Sequence, residues 1–72
     1  LLLISIEIKK SERAELLMLS RLFETTVIEM SESQILLQLV AEPRRISYFL
    51  EAIAGFKVIH MARTGVVALA LP

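Results

Sequence analysis

The chain of 72 residues has eight basic and eight acidic side chains, no cysteine, 56% hydrophobic residues and a mean hydropathy of +0.67. Balanced charge excludes the positive field through which proteins hold nucleic acid, and the missing cysteine excludes disulfides. No apolar run approaches the ~18 residues of a membrane span. The apolar share exceeds the usual ~45–50% of a soluble domain, so we expect some of it to be buried against another chain or domain.

The first part of the chain predicts a strand followed by a helix. Within residues 1–9, Leu2, Ile4, Ile6 and Ile8 lie on one parity and Ser5, Glu7 and Lys9 on the other, which is the period of a strand. Ser11 is the expected N-cap of the helix. Apolar residues then follow helical spacing at Leu16, Leu19, Leu22 and Phe23. Leu17 and Met18 lie off that stripe, so the helix has apolar residues on a second face.

A hairpin comes next. Residues 25–30 are short and β-branched and predict a strand. Ser31-Glu32-Ser33 predicts the loop, and residues 34–41 predict the returning strand. One face of that strand carries Ile35, Leu37 and Leu39.

A second helix and two further strands complete the chain. Pro43 suits the first helical position, where its missing N–H is not needed. The i, i+3, i+4, i+7 series Ile46, Phe49, Leu50 and Ile53 marks the helix, and Gly55 is the expected left-handed cap. Residues 56–61 and 66–71 predict strands, separated by a turn at Arg63-Thr64-Gly65.

This β-α-β-β-α-β order predicts one domain over residues 1–72 with an α+β, ferredoxin-like (ACT-like) fold. Its last strand is expected to be bent or split at Gly65. Two helices cover only one face of the antiparallel sheet. Burying roughly 500 Å² of apolar area on the other face would yield ~12 kcal/mol, against an association cost on the order of 4–15 kcal/mol. We therefore expect a dimer through the sheet or its edge strand.

Several segments resemble, in order, the C-terminal domain of the small regulatory subunits of acetohydroxyacid (acetolactate) synthase. The ending Ala62-Arg63-Thr64-Gly65-Val66-Val67-Ala68-Leu69 carries the resemblance most strongly. The supporting segments are residues 2–8, Arg13-Ala14-Glu15-Leu16-Leu17 with Phe23, and Val27-Ile28-Glu29-Met30-Ser31. Two segments depart from the family pattern: Val40-Ala41-Glu42-Pro43 at the second helix entry, and Leu71-Pro72 in place of a basic residue.

The resemblance implies a regulatory and assembly domain rather than an enzyme. Its expected partners are a second copy of itself, an N-terminal ACT domain of the same chain, and the thiamine-diphosphate-dependent catalytic subunit. In the family that complex serves branched-chain amino-acid synthesis, and the ACT domain mediates inhibition by valine. The chain is therefore expected to be part of a longer protein and not the main valine sensor. It is expected to be cytoplasmic, or organellar in a eukaryote.

The inventory of reactive side chains favours the same conclusion. His60 is the only histidine, so no set of His and Cys metal ligands exists. No nucleophile–base pair and no phosphate-cradling glycine loop can be found. We expect no catalytic residue, no bound cofactor and no metal, and we interpret His60 as a surface strand residue. The alternative function is an ACT-like module that senses a small amino acid within another metabolic protein.

Two groups of residues are candidates for contact with a partner. Arg63 and Thr64 with Gly65 form either a purely structural turn or a projection into an interface or effector pocket. Leu17 and Met18, between Glu15 and Arg21, form either a partner-facing helix surface or a solvated face with stray apolar residues. The basic clusters Lys9-Lys10-Arg13 and Arg44-Arg45 are interpreted as solvated strand and helix ends.

Overall fold

A computed structural model describes residues 1–64 of the chain. It contains four strands, two α-helices and one turn of 3₁₀-helix. In chain order these are β1 (Leu2–Glu7), the 3₁₀ turn (Lys10–Glu12), α1 (Arg13–Leu22), β2 (Thr26–Met30), β3 (Gln34–Leu39), α2 (Pro43–Ala52) and β4 (Lys57–Arg63). The expected strand over 66–71 and the bend at Gly65 lie outside the described residues.

The four strands form one antiparallel sheet in the order β2-β3-β1-β4. The two central strands are the first and third, and each helix is the crossover that leads from a central strand to an edge strand. This is the split βαβ arrangement of the ferredoxin-like fold. The predicted fold class is therefore confirmed for the part of the chain that the structure describes.

One face of the sheet carries the hydrophobic core. β1 and β3 pair so that Leu2, Ile4 and Ile6 lie opposite Leu39, Leu37 and Ile35, and all six side chains are buried. The helices cover this layer with Leu16 from α1 and with Ile46, Phe49 and Ile53 from the second helical segment. These are the residues that the period of two along the strands and of 3.6 along the helices predicted. The exception is Leu22, which belongs to the predicted stripe of α1 but is 69% exposed.

The start of α1 differs from the prediction. Ser11 is not its N-cap, because Ser11 lies inside the 3₁₀ turn and the N-cap position is held by Glu12. The Glu12 carboxylate accepts a hydrogen bond from the Lys9 backbone N–H, at 2.8 Å. That bond closes the chain into a tight turn before the helix begins, which a capping serine at position 11 could not do.

The predicted left-handed cap at Gly55 is also wrong. Gly55 does not have a positive φ; among residues 1–64 the residue in the left-handed region is Glu24, at φ 57°, just after α1. The second helix ends through Ile53, whose N–H bonds to Phe49 O, and a further turn from Phe56 N–H to Ile53 O. Because that exit needs no left-handed residue, glycine is not required there.

Gly55→Ala should therefore leave the domain as stable as before or stabilise it by about 0.4–1 kcal/mol. An added Cβ meets no heavy atom within 4 Å, and alanine restricts the unfolded chain more than glycine does. Urea unfolding followed by far-UV circular dichroism measures the effect. A loss of about 1 kcal/mol or more in the free energy of unfolding would instead support a left-handed conformation at Gly55.

The end of β4 extends beyond its predicted limit. Arg63 was expected in a turn, yet it lies within the strand and pairs with Leu2 of β1. Thr64 continues the pairing, since its N–H bonds to Leu1 O at 3.0 Å. The turn interpretation of Arg63 is corrected accordingly, because backbone pairing with β1 keeps Arg63 within the strand. Gly65 lies outside the described residues.

Candidate interaction surfaces

Arg13 joins the start of α1 to the β2–β3 loop. Its Nη2 atom donates to Ser31 O at 3.1 Å and to Glu32 O at 3.0 Å. The side chain is half-buried, and the loop is further held by the Ile8 N–H bond to Ser33 O. The sequence interpretation treated Arg13 as a solvated helix end. Its hydrogen-bond partners are backbone carbonyls, and the pattern of side chains in the sequence does not predict bonds of this kind.

Beside this bridge lies a groove of about 640 Å³. It is lined by the polar residues Lys10, Arg13 and Glu32 and by the apolar residues Ala14 and Leu17. Leu17 is half-buried and packs against the edge of the core. Leu17, one of the two candidate contact residues on α1, is therefore partly buried in the core, and only part of its side chain is exposed in this groove.

Met18 lies on a different side of α1. Adjacent positions on a helix are rotated by about 100° around its axis, so Met18 faces away from Leu17. Met18 is 61% exposed, and Leu22, one turn later, is 69% exposed. Glu15 and Arg21 are exposed as well. Leu17 and Met18 thus belong to two surfaces of the helix, a groove toward the hairpin loop and an apolar outer face, rather than to one.

The C-terminal end of α1 is fastened to the start of α2 through Arg45. Its guanidinium lies 5.5 Å from the centre of the Phe23 ring and 3.7 Å from a carboxylate oxygen of Glu24. Its Nη2 atom also donates to Leu22 O at 3.5 Å. Beneath it, Phe23 and Phe49 meet edge to face with ring centres 5.3 Å apart. Arg45 therefore has a structural role that its position in a basic pair did not indicate.

The face of the sheet opposite the helices is mixed in character. Leu3 and Leu36 are apolar and half-buried, but Ser5, Gln34 and His60 accompany them, and Glu7 pairs with Lys57 at 3.5 Å. A small depression of about 120 Å³ is lined by Ser5, Glu29, Ser31, Gln34 and Leu36. The apolar excess expected on this face is thus diluted by polar side chains.

Six of the ten large apolar side chains that are exposed within residues 1–64 lie on the two edge strands. β2 exposes Val27, Ile28 and Met30, and β4 exposes Val58, Ile59 and Met61. Each edge strand has a register shift, at Ile28 and at Ile59 respectively, where one extra residue enters the ladder. These edges, more than the open face, offer surface that association with another chain could cover.

Of the remaining predicted site residues, Arg63 ends β4 and Thr64 follows it, whereas Gly65 lies outside the described residues. His60 is exposed and pairs with Ser5, and Arg63 and Thr64 are exposed at the end of the strand. Within residues 1–64 no three His, Asp or Glu side chains converge on a possible metal position. No helix in that range is long and apolar enough to cross a membrane.

Together, the topology and these surfaces define a small ferredoxin-like α+β domain with apolar sheet edges. A family model described as the small subunit of acetolactate synthase matches residues 1–71. The chain belongs to that family, as its C-terminal domain. The family is regulatory, and its small subunit associates with the catalytic subunit of acetolactate synthase. The match favours this role over the alternative of a sensing module in another metabolic protein.

Proposed function

We propose that this domain supports dimerisation of the small subunit and activation of the catalytic subunit of acetolactate synthase, without catalysing a reaction itself. The observation that carries the proposal is the concentration of exposed apolar side chains on β2, β4 and the outer face of α1, in a domain of a regulatory family. Such surfaces cost free energy in water and are covered in assemblies.

Reconstitution tests the proposal. The protein is added to purified catalytic subunit, and acetolactate formation is measured with and without valine, alone and together with the upstream ACT domain that the family leads us to expect. We expect activation that depends on this domain, and inhibition by valine only when the ACT domain is present. Equal activity with and without this domain would contradict the activating role.

Arg63 is the residue whose substitution separates coupling from folding. In Arg63→Ala we expect the free energy of unfolding to change by no more than about 0.5 kcal/mol, since the side chain is exposed and has no ion pair within residues 1–64. If Arg63 contacts the catalytic subunit, activation should fall severalfold. Titration of the catalytic subunit with each variant, read as activity, measures this.

Lys57→Ala is the matched control for Arg63→Ala. Lys57 is an exposed cation at the other end of the same strand, where it pairs with Glu7. It should leave both stability and activation near the wild-type values. Wild-type activation by Arg63→Ala would remove Arg63 from the coupling surface.

A further inference from the structure

The outer edge of β4 exposes backbone groups that are ready to pair. Thr64 N–H bonds inward to Leu1 O, and N–H groups alternate sides along a strand, so Ala62 also points inward. Met61 and Arg63 therefore direct their N–H and C=O groups outward. Within residues 1–64 no strand lies on that side, because β1 is the inner neighbour and β4 ends the sheet.

The side chains along this edge do little to prevent pairing. Proteins usually blunt an edge strand with a central charge, short length or a bulge. β2 has five residues and a glutamate, Glu29, within them. β4 has seven residues, with no charge between Lys57 and Arg63. The bulge at Ile59 leaves a regular stretch from His60 to Arg63.

We propose that the outer edge of β4 pairs antiparallel with the same edge of a second copy of this chain, with Met61 on the two-fold axis. The inference rests on the dimerisation part of the proposed function and assigns it a surface. A second copy is the fitting occupant because like-with-like pairing closes at two subunits, whereas β4 against β2 of another copy would continue into a filament. The second copy also presents the same uncharged residues between Lys57 and Arg63 to the interface.

Charge selects the register. An axis at His60 would set Lys57 directly opposite Arg63 of the second copy, and like charges across a sheet are destabilising. An axis at Met61 instead brings Arg63 level with the bulged, uncharged Ile59, so no like charges lie opposite each other within the regular stretch from His60 to Arg63. It also lets the outward N–H and C=O groups of Met61 bond to their counterparts. Such an interface is at the low end of known sizes, below about 1,200 Å² in total, so we expect a micromolar dimer.

The three methionines of the chain offer a matched test. Met18, Met30 and Met61 are 61%, 48% and 53% exposed and lie on α1, β2 and β4 respectively. The chain has no cysteine, so each Met→Cys variant carries a single thiol. Directly opposed strand residues have Cα atoms about 5.5 Å apart, within the range that a disulfide spans. Under mild oxidation we expect M61C to form covalent dimer at least about tenfold faster than M18C or M30C.

Sedimentation equilibrium of Met61→Lys gives a second readout. A pair of ammonium groups on the axis should weaken the dimer by about tenfold or more, with an unchanged far-UV spectrum, whereas Met30→Lys should not. If M30C or M18C cross-links fastest, the dimer uses another surface; the inference then falls and the proposed dimerisation stands. A monomeric protein whose M61C thiol cross-links no faster than the controls overturns both the inference and the proposed dimerisation.

Discussion

Phe49→Ala should destabilise the domain by about 3–5 kcal/mol, the usual cost of removing a buried phenylalanine. Phe49 is fully buried, at 0% exposure, and it packs edge to face against Phe23 where the two helices meet. Small domains have little stability in reserve, since native proteins are stable by only about 5–15 kcal/mol. We therefore expect a large fraction of unfolded protein at 37 °C and loss of activation of the catalytic subunit.

The adjacent residue supplies the control for that experiment. Tyr48 precedes Phe49 on the same helix but is 55% exposed, so Tyr48→Ala should change the unfolding free energy by no more than about 0.5 kcal/mol. Urea unfolding followed by far-UV circular dichroism measures both variants, because the chain has no tryptophan. A Phe49→Ala cost under about 1 kcal/mol, or equal costs for the two variants, would contradict this account of the core.

Arg13→Ala should cost about 1–2 kcal/mol, the range for hydrogen bonds from a charged donor that is only partly buried. The substitution frees Ser31 O and Glu32 O, so the β2–β3 loop loses its attachment to α1. The expected local signature is faster hydrogen exchange at Ile8, whose N–H bonds to Ser33 O of the same loop. Native-state hydrogen exchange measured by NMR reads this directly.

Two variants decide whether geometry or charge is responsible. Arg13→Lys keeps the charge but lacks the planar fork that reaches two carbonyls, so it should recover less than half of the lost stability. Arg21→Ala removes an exposed arginine whose side chain makes no hydrogen bond or ion pair among residues 1–64 and should be neutral. Full rescue by lysine would reduce the role of Arg13 to simple charge.

The corrected predictions concern places where backbone groups find their own partners. At Ser11 and at Gly55 the residue type matched a capping rule, but hydrogen bonds from the Lys9 and Phe56 N–H groups close each turn differently. At Arg63 a compact polar-glycine sequence predicted a turn, but pairing with Leu2 continues the strand. Local preferences of this kind are worth about 1 kcal/mol, and sheet pairing outweighs them.

For the candidate interaction residues, too, the sequence predicted part of the outcome and the structure corrected the rest. The sequence identified Leu17 and Met18 as apolar residues off the core stripe and grouped them on one surface, yet Leu17 packs against the edge of the core. The structure separates them, because Leu17 faces the groove beside Arg13 and Met18 faces outward. The two basic clusters contain Arg13 and Arg45, whose partners are loop and helix-end groups distant in the chain. Nothing in the local sequence indicates those contacts.

The sequence by itself determined the order of the elements, the residues that share a face within each of them, and the family. Hydrophobic periodicity encodes these properties locally, because alternate strand residues and every third or fourth helix residue share one side. Only the tertiary structure decided which strands are edges, and therefore which apolar side chains remain exposed. Val58 and Met61 look as buryable as Ile4 and Ile6 in sequence, yet they lie where the sheet of residues 1–64 ends and neither helix covers them. Burial depends on the number of neighbours that the whole fold supplies, and that number is not a property of any segment.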